Sequence, residues 1–412
     1  MIIKKGSENK LLNNNILAIE AEAIEAKKED SSVINSTTGM LKNEDGSLYV
    51  FDSVKRVMEH LSSNEKFAYT NSLGTPEYKE AVLFSLFGKN LPSIKKECYI
   101  DSIVTPGGSG GLCLALSNYM DKGDTILLPN YMWENYLTYG IEMGFNSDTY
   151  HLFNDEGLFD LDYLVKKIDS LKTKQKRITI MINDPCENPT GFCMKDEDYD
   201  ALIKISRDNP NNDFVYIMDV AYFDFYNVDP DIIRARFSKF KDIPNNAIAF
   251  FVFSGSKSFG LYGLRVGALV ALTHSEEEII AFQSASNFST RAKWSDSSTL
   301  GMSIIEKLVL NDEYRLSYEN EIKSVCKMLE DRCFIFLNKA KEVGLKTLPY
   351  EKGFFICIPC SNPKRIAELL HQDKVYLIPT STCLRVALCT INKKEAELLP
   401  QIIKARLDKE IV

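Results

Sequence analysis

Residues 254–267 read Ser-Gly-Ser-Lys-Ser-Phe-Gly-Leu-Tyr-Gly-Leu-Arg-Val-Gly and lie between two apolar, β-like runs, Ile248–Phe253 and Val266–Leu272. Because its neighbours are apolar, the ammonium form of Lys257 is disfavoured, and the free amine can act as a nucleophile that forms a Schiff base. Serine hydroxyls and Arg265 are donors that suit a phosphate, and glycine lets the backbone approach the anion. The stretch favours a pyridoxal phosphate site, although a polar loop with a solvated lysine would carry the same short pattern.

The same stretch resembles the class I aminotransferases, the fold-type I pyridoxal-phosphate enzymes of the aspartate and aromatic kind. The positions that match the family pattern are Ser254, Ser256, Lys257, Phe259, Gly260, Leu261, Tyr262, Arg265, Val266 and Gly267. The resemblance extends from about residue 30 to the C-terminus. It implies that Lys257 carries the cofactor and that Ser254, Ser256 and Arg265 bind its phosphate.

Length and composition narrow the class of protein. A chain of 412 residues favours two domains. A net charge of −8 and a pI of about 5.3 give no electrostatic reason to expect nucleic acid or an anionic membrane as a partner. No 18-residue apolar stretch occurs, and the first ten residues contain no apolar signal region. Ten scattered cysteines do not suggest a disulfide framework, so we expect a reduced, cytoplasmic enzyme.

Strand-like and helical stretches alternate along the middle of the chain, which is typical of an α/β fold. The stretches are the predicted strands Asp124–Leu128, Asp148–Leu152, Arg177–Asn183 and Phe214–Met218, and the predicted helices Asp160–Leu171 and Asp196–Arg207. The resemblance implies a large domain with a mostly parallel sheet flanked by helices, and a small α+β domain. We predict an N-terminal arm and part of the small domain in residues 1–48, the large domain in 49–300, and a long connecting helix and the small domain in 301–412.

A glycine-rich segment offers a second phosphate contact. A strand-like run ends in Pro-Gly-Gly-Ser-Gly-Gly at residues 106–111, and a helical pattern follows from Leu112. A helix entered through glycines presents free N–H groups to an anion. Gly-x-Gly-x-x-Gly is absent, which argues against a dinucleotide. By resemblance Gly108 and Ser109 bind the phosphate, whereas Gly107 stands where the family often has a hydroxyl.

Four further residues are implied in cofactor binding. Asp219 follows an apolar run, at the end of a strand where α/β sheets place ligands, and a carboxylate there can hold a proton on a pyridine nitrogen. By resemblance Tyr222 and Asn188, the latter in Asn-Pro-Thr-Gly, contact the 3′-oxygen of the cofactor. Trp133 matches the family aromatic residue that stacks on the ring and faces the substrate carboxylate. Together with Lys257, Asp219 and Tyr222 form the predicted catalytic set.

Arg385 is a cation inside a predicted strand, where burying its charge without an anionic partner would cost free energy. A guanidinium can bind a carboxylate through two parallel hydrogen bonds. The resemblance implies that Arg385 binds the α-carboxylate of the substrate and that the backbone of Gly39 lies against the substrate.

The resemblance also implies that Tyr69 and Arg291 serve the active site of the partner in a homodimer, Tyr69 at the phosphate and Arg291 at a distal carboxylate. The family continues Ser-Asn-Pro-Pro after this arginine, whereas this chain has Ser-Asp-Ser-Ser at 295–298, which leaves the aim of Arg291 open.

A metal site is not expected. Cys357-Ile-Pro-Cys360 has the spacing of a ligand pair, but no second pair or histidine lies nearby in the sequence. The four histidines match no catalytic pattern.

The leading hypothesis is therefore an aminotransferase that moves an amino group between an amino acid (aspartate, glutamate or an aromatic one) and a 2-oxo acid through a Schiff base on Lys257. A pyridoxal-phosphate lyase that performs β-elimination or carbon–sulfur cleavage on the same scaffold is the alternative. A regulator that kept the scaffold is a third reading, but it would need a basic DNA-binding domain, for which there is no room before residue 30. The sequence does not decide which amino acid or 2-oxo acid is used.

Overall fold

The computed structural model describes residues 2–3, 7–10 and 16–410. Its larger sheet has seven strands in the order β2-β8-β7-β6-β5-β3-β4. These strands are β2 Tyr99–Thr105, β3 Thr125–Pro129, β4 Asn146–Tyr150, β5 Arg177–Asn183, β6 Asp213–Asp219, β7 Ala247–Ser254 and β8 Gly267–Thr273. Only β8 runs antiparallel to its two neighbours, and the other pairs are parallel. The predicted mostly parallel sheet is confirmed.

The inner strands of this sheet are buried on both faces, which explains why β5 to β8 are rich in apolar residues, whereas the edge strand β4 is polar and mostly exposed. Along β7, Ile248, Phe250 and Val252 join one apolar core, whereas Phe251 and Phe253 join the other. The helices of this part of the chain connect and cover the strands. They are α2 Asp52–His60, α3 Ser63–Phe67, α4 Pro76–Phe87, α5 Leu91–Glu97, α6 Gly107–Tyr119, α7 Asn135–Met143, α8 Leu161–Leu171, α9 Asp196–Asp208, α10 Pro230–Ser238, α11 Gly255–Ser258, α12 Glu276–Lys293 and α13 Thr299–Leu310.

A second sheet of four strands has the order β1-β10-β11-β9. Its strands are β1 Ile34–Ser36, β9 Phe355–Pro359, β10 Val375–Pro379 and β11 Cys383–Ala387, and β1 is parallel to β10 while the other pairs are antiparallel. A separate apolar core lies against it. The associated helices are α1 Ile16–Glu29, the 31-residue α14 Asp312–Glu342, α15 Pro363–Gln372 and α16 Lys393–Glu410. Domain boundaries at residues 48 and 300 stay a prediction.

Three local predictions are wrong. Residues 34–36, where no strand is predicted, form an edge strand because the backbone of β1 pairs with β10. The glycine-rich segment is not a turn before a helix, since α6 begins at Gly107. The loop around Lys257 contains the single helical turn α11.

Short 3-10 helices complete the fold at Ser7–Asn9, Gly88–Asn90, Phe223–Phe225 and Lys239–Asp242. In the part of the chain that is described, no helix combines the length and apolar character needed to cross a membrane.

Candidate active site

Strands β5, β6 and β7 end at the same edge of the large sheet, and polar side chains gather there. Asn183 is in register with Asp219, and Asp219 with Val252, two residues before Ser254. The carboxyl edge of a parallel sheet is where α/β folds place ligands. A cavity of about 280 Å³ opens at this edge, between the two sheets. It is lined by the predicted residues Gly39, Gly108, Ser109, Trp133, Asn188, Asp219, Tyr222, Ser254, Ser256, Lys257, Arg265 and Arg385.

Lys257 lies in the single turn of α11, which follows β7 directly. Its Nζ donates a hydrogen bond to the carbonyl oxygen of Gly39 at 2.7 Å, and the ring centroids of Tyr262 and Tyr222 lie 5.1 and 5.8 Å away. Burial lowers the pKa of Lys257 to about 8, and the charges of Arg385 and Arg265 act in the same direction. About one amine in ten is therefore neutral at pH 7, far more than for an unperturbed lysine, and only the neutral amine is a nucleophile.

Asp219 is the buried acid of the cavity. The Tyr136 hydroxyl donates to its Oδ2 at 2.7 Å, and the Ala221 N–H donates to its Oδ1 at 3.2 Å. Burial raises the pKa of Asp219 to about 6, while the Tyr136 hydrogen bond and the charge of Lys257 oppose that rise. The carboxyl is thus ionised above pH 6 and can hold a proton on a basic ring nitrogen.

An anion cradle lies at the start of α6. Arg265 donates from Nη1 to the Ser256 hydroxyl at 3.0 Å, and a Cβ added at Gly108 would lie 3.4 Å from the Cβ of Ser254. Gly107 has φ +70°, and a Cβ there would lie 2.6 Å from Arg265 Nη2. A side chain at 107 would therefore crowd the guanidinium, and the positive φ also favours glycine at this position. Helix N–H groups, two hydroxyls and a guanidinium form a donor set that fits a phosphate.

Arg385 lies on the opposite side of the cavity, in strand β11. Its Nη2 donates to the Thr37 carbonyl oxygen at 2.5 Å and its Nη1 donates to Asn188 Oδ1 at 3.1 Å. The guanidinium carbon lies 4.4 Å from the ring centroid of Phe355, and the buried Nε has no hydrogen-bond partner among the described residues. A buried guanidinium with no carboxylate bonded to it suits an anionic ligand. Gly39 has to be glycine, because a Cβ would lie 2.9 Å from Phe355 and 3.1 Å from Lys257 Nζ.

Two predicted residues lie outside this cavity. The side chain of Tyr69 is 94% exposed, and Arg291, near the end of α12, donates to the Ser295 hydroxyl at 2.7 Å. Neither residue contributes to the site of its own chain.

Sequence reasoning missed several residues of the site. Tyr136 and Thr37 were not predicted, because a phenol and a backbone carbonyl carry no motif and reach the site only through tertiary packing. Asn183 could have been found, since it ends a predicted strand just as Asp219 does. It donates from Nδ2 to the Asp219 carbonyl oxygen at 2.7 Å and accepts from the Asn188 N–H at 2.8 Å, so it positions both segments.

The known proteins that this chain resembles are aminotransferases. Aspartate aminotransferase of Escherichia coli K12 is 27% identical over 319 residues, which cover 76% of this chain and 77% of that protein. Aromatic-amino-acid aminotransferase of the same organism is 26% identical over 384 residues, or 90% of this chain and 93% of that one. The crystal structure of an aminotransferase from Anaerococcus prevotii matches with a TM-score of 0.92 and 30% identity, covering 98% of this chain and all of that one.

The family model described as aminotransferase class I and II matches residues 31–403. That match spans both sheets and every residue of the cavity except those of helix α1. The chain therefore belongs to the class I and II aminotransferases, a family of enzymes that depend on pyridoxal phosphate.

Proposed function

We propose that this protein transfers an amino group between an amino acid and a 2-oxo acid, with pyridoxal phosphate bound to Lys257. The observation that carries the proposal is the position of the Lys257 amine, with a pKa lowered to about 8, in one cavity with Asp219, the anion cradle and Arg385. When bound, the cofactor supplies an electron-withdrawing ring that stabilises negative charge at the α-carbon of the amino acid.

The residues of the chain would divide the remaining work. Gly108, Ser109, Ser254, Ser256 and Arg265 would hold the phosphate. Asp219 would bind the pyridine nitrogen, Asn188 and Tyr222 the 3′-oxygen, and Trp133 the face of the ring. Once released from the cofactor, the neutral amine of Lys257 would act first as a base that takes the proton from the α-carbon of the substrate. It would then act as an acid that gives the proton back and completes the 1,3-proton shift.

Arg385 would bind the α-carboxylate of the substrate, with Gly39 and Trp133 beside it. A guanidinium held by Thr37 and Asn188 is preorganised, so little rotamer freedom is lost when the carboxylate binds. We propose aspartate, glutamate or an aromatic amino acid as the substrate, which the names of the two Escherichia coli relatives support. A dicarboxylate would use Arg291 of the partner subunit for its distal carboxylate.

We further propose a cytoplasmic homodimer with shared active sites. Tyr69 and Arg291 lie at the surface, and the exposed aromatic residues Phe67 and Phe288 lie close to them in the sequence, at 83% and 79% exposure. A contiguous exposed apolar patch marks a surface that binds another protein, and we propose that these side chains belong to such a patch. All ten cysteines are free thiols, which supports a reducing compartment.

The test is an absorbance titration of the purified protein with pyridoxal phosphate, followed by separate addition of glutamate, aspartate, tyrosine and alanine. We expect a yellow band that shifts with a productive amino acid, and formation of a new amino acid once a 2-oxo acid is added. Lys257→Ala should lose the band, whereas Lys241→Ala, which removes a surface lysine, should keep it. Release of ammonia or a thiol without amino transfer would favour the lyase instead. A wild-type protein that stays colourless would overturn the proposal.

A further inference from the structure

Two buried cysteines lie next to the arginine of the cavity. Cys383 precedes Arg385 by two residues in strand β11, so both side chains point to the same face of the sheet. Cys357 in strand β9 is the register partner of Arg385 and shares that face. The sulfur atoms of Cys357 and Cys383 lie 2.8 Å apart, and both cysteines are fully buried.

The two thiols have different surroundings. The Thr380 hydroxyl lies 3.1 Å from the sulfur of Cys383, while the Cys357 thiol donates to the Pro189 carbonyl oxygen at 3.3 Å. Hydrogen bonding with Cys357 holds the pKa of Cys383 below its ordinary value, and Thr380 and the charge of Arg385 act in the same direction. Burial raises the pKa of Cys357 well above its ordinary value. Cys383 is therefore the better thiolate and Cys357 the neutral thiol beside it.

A surface cavity lies one residue away from the pair. This cavity of about 260 Å³ is lined by Tyr131, Pro189 and the turn Thr380–Thr382 that joins β10 to β11. Pro189 and Thr380 are also the residues that contact the two sulfur atoms. A small polar oxidant in this cavity is thus one residue away from the thiols.

We propose that Cys357 and Cys383 form an oxidation-sensitive pair that a small peroxide converts to a disulfide. The Cys383 thiolate attacks one peroxide oxygen, which breaks the O–O bond, releases water after protonation and leaves a sulfenic acid. The Cys357 sulfur then displaces the hydroxyl group of that sulfenic acid as a second water. Two thiols and one hydrogen peroxide give one disulfide and two waters, so the two sulfurs lose the two electrons that the peroxide gains.

The disulfide changes the surroundings of Arg385. A disulfide carries no S–H group, so Cys357 can no longer donate a hydrogen bond to the Pro189 carbonyl oxygen. Pro189 follows Asn188, which holds Arg385 Nη1. Oxidation therefore shifts the carboxylate site, and we expect the KM for the amino acid to rise roughly tenfold or more. This effect on KM rests on the proposed function, whereas the cross-link does not.

A second thiol pair in the chain serves as an internal comparison. The Cys186 N–H donates to the Cys193 sulfur at 3.3 Å, and both cysteines are buried. Burial raises the pKa of both thiols, so neither supplies a thiolate. The pair at 357 and 383 should therefore oxidise first.

The experiment treats the reduced wild-type protein with hydrogen peroxide, blocks free thiols after denaturation, and maps peptides by mass spectrometry. We expect a cross-linked peptide pair that contains Cys357 and Cys383, formed before any link between Cys186 and Cys193 and reversed by dithiothreitol. In Cys357→Ala, dimedone should label Cys383, whereas in Cys383→Ala it should not label Cys357. The half-buried Cys360 is the matched control, and Cys360→Ala should form the same cross-link as wild type.

Oxidation of Cys113 or Cys360 while Cys357 and Cys383 stay reduced until the protein unfolds would overturn the pair. This result is read on the wild-type protein and does not depend on whether the variants fold. A cross-link without any change in KM would overturn the coupling to Arg385. A failure of the proposed function is distinguishable, because amino transfer would then be missing from the reduced protein as well.

Discussion

Tyr136 donates a hydrogen bond from its hydroxyl to Oδ2 of Asp219 at 2.7 Å, and both side chains are buried. The two residues are 83 positions apart, one in helix α7 and the other at the end of strand β6. The tyrosine thus stabilises the ionised form of a carboxyl whose pKa burial has raised to about 6.

Tyr136→Phe should raise the pKa of Asp219 further, because the ionised carboxylate loses a donor and gains none. A hydrogen bond to a charged group contributes about 1.5–3 kcal/mol, which corresponds to roughly one to two pH units. In the cofactor-free protein, the pH at which the Asp219 carboxyl ionises should move upward by that amount, and binding of pyridoxal phosphate should show an acid limb that moves with it. Tyr216→Phe is the control, since it removes another buried hydroxyl, one that donates to the Leu202 carbonyl oxygen. An unmoved acid limb in Tyr136→Phe would contradict this role.

The lowered pKa of Lys257 predicts how the protein takes up its cofactor. Because only the neutral amine attacks an aldehyde, the binding rate should rise about tenfold per pH unit below pH 8 and level off above it. Stopped-flow absorbance of the cofactor-free protein mixed with pyridoxal phosphate measures this rate. Nα-acetyl-lysine under the same conditions should keep accelerating to about pH 10. A protein rate that also keeps rising to pH 10 would show that the lysine is not perturbed.

Arg385→Lys should raise the KM for the amino acid by roughly ten- to a hundredfold and change kcat less, because an ammonium cannot reproduce the planar fork. Steady-state kinetics with the preferred amino acid measures both parameters. Arg332→Lys is the matched control. Its guanidinium is also buried, and it binds Glu44 and the carbonyl oxygens of Lys42 and Cys389 away from the cavity. That variant should lose stability and keep its KM, whereas equal KM values for Arg385→Lys and wild type would refute the assignment.

Glu187 predicts a pH dependence of stability. Its Oε2 accepts bonds from the N–H and hydroxyl of Thr190, its Oε1 has no partner among the described residues, and burial raises its pKa to about 8. The native state therefore binds more protons than the unfolded state between about pH 4.5 and 8, so stability falls as the pH rises through that range.

Glu187→Gln cannot ionise at this position. The melting temperature of the variant should therefore rise relative to that of the wild type as the pH increases from 5 to 8. The difference in the free energy of unfolding should reach the order of a few kcal/mol. Calorimetry at several pH values measures it. Glu277→Gln, an exposed position in the first turn of α12, should show no such trend. A constant difference between Glu187→Gln and wild type would mean that Glu187 is ionised throughout.

The family resemblance, more than any single short pattern, implied which residues would form the site. Asn188, Asp219, Lys257 and Arg385 are far apart in the sequence, and the structure brings them to one cavity, Arg385 from the small sheet and the other three from the large sheet. Their roles toward a cofactor and a substrate stay a prediction. Strand β1 was missed because three residues, Ile-Asn-Ser, carry no alternation, and only pairing with β10 makes them a strand. Tyr136 was missed for the same physical reason, since its partner Asp219 is distant in sequence and close only in the fold.

The small sheet joins the two ends of the described chain. The Ala387 N–H donates to the Ser36 hydroxyl across 351 residues, and Arg385 donates to the Thr37 carbonyl oxygen. During synthesis on a ribosome, the strands that hold Ser36 in place emerge only after the large sheet is complete at Thr273. Proteolysis of chains stalled after residue 320 should therefore find the large sheet protected and residues 30–40 open to cleavage. An unfinished copy lacks the part of the cavity that Arg385 and Thr37 form, so we expect that a growing chain cannot bind an amino acid before β11 has left the ribosome.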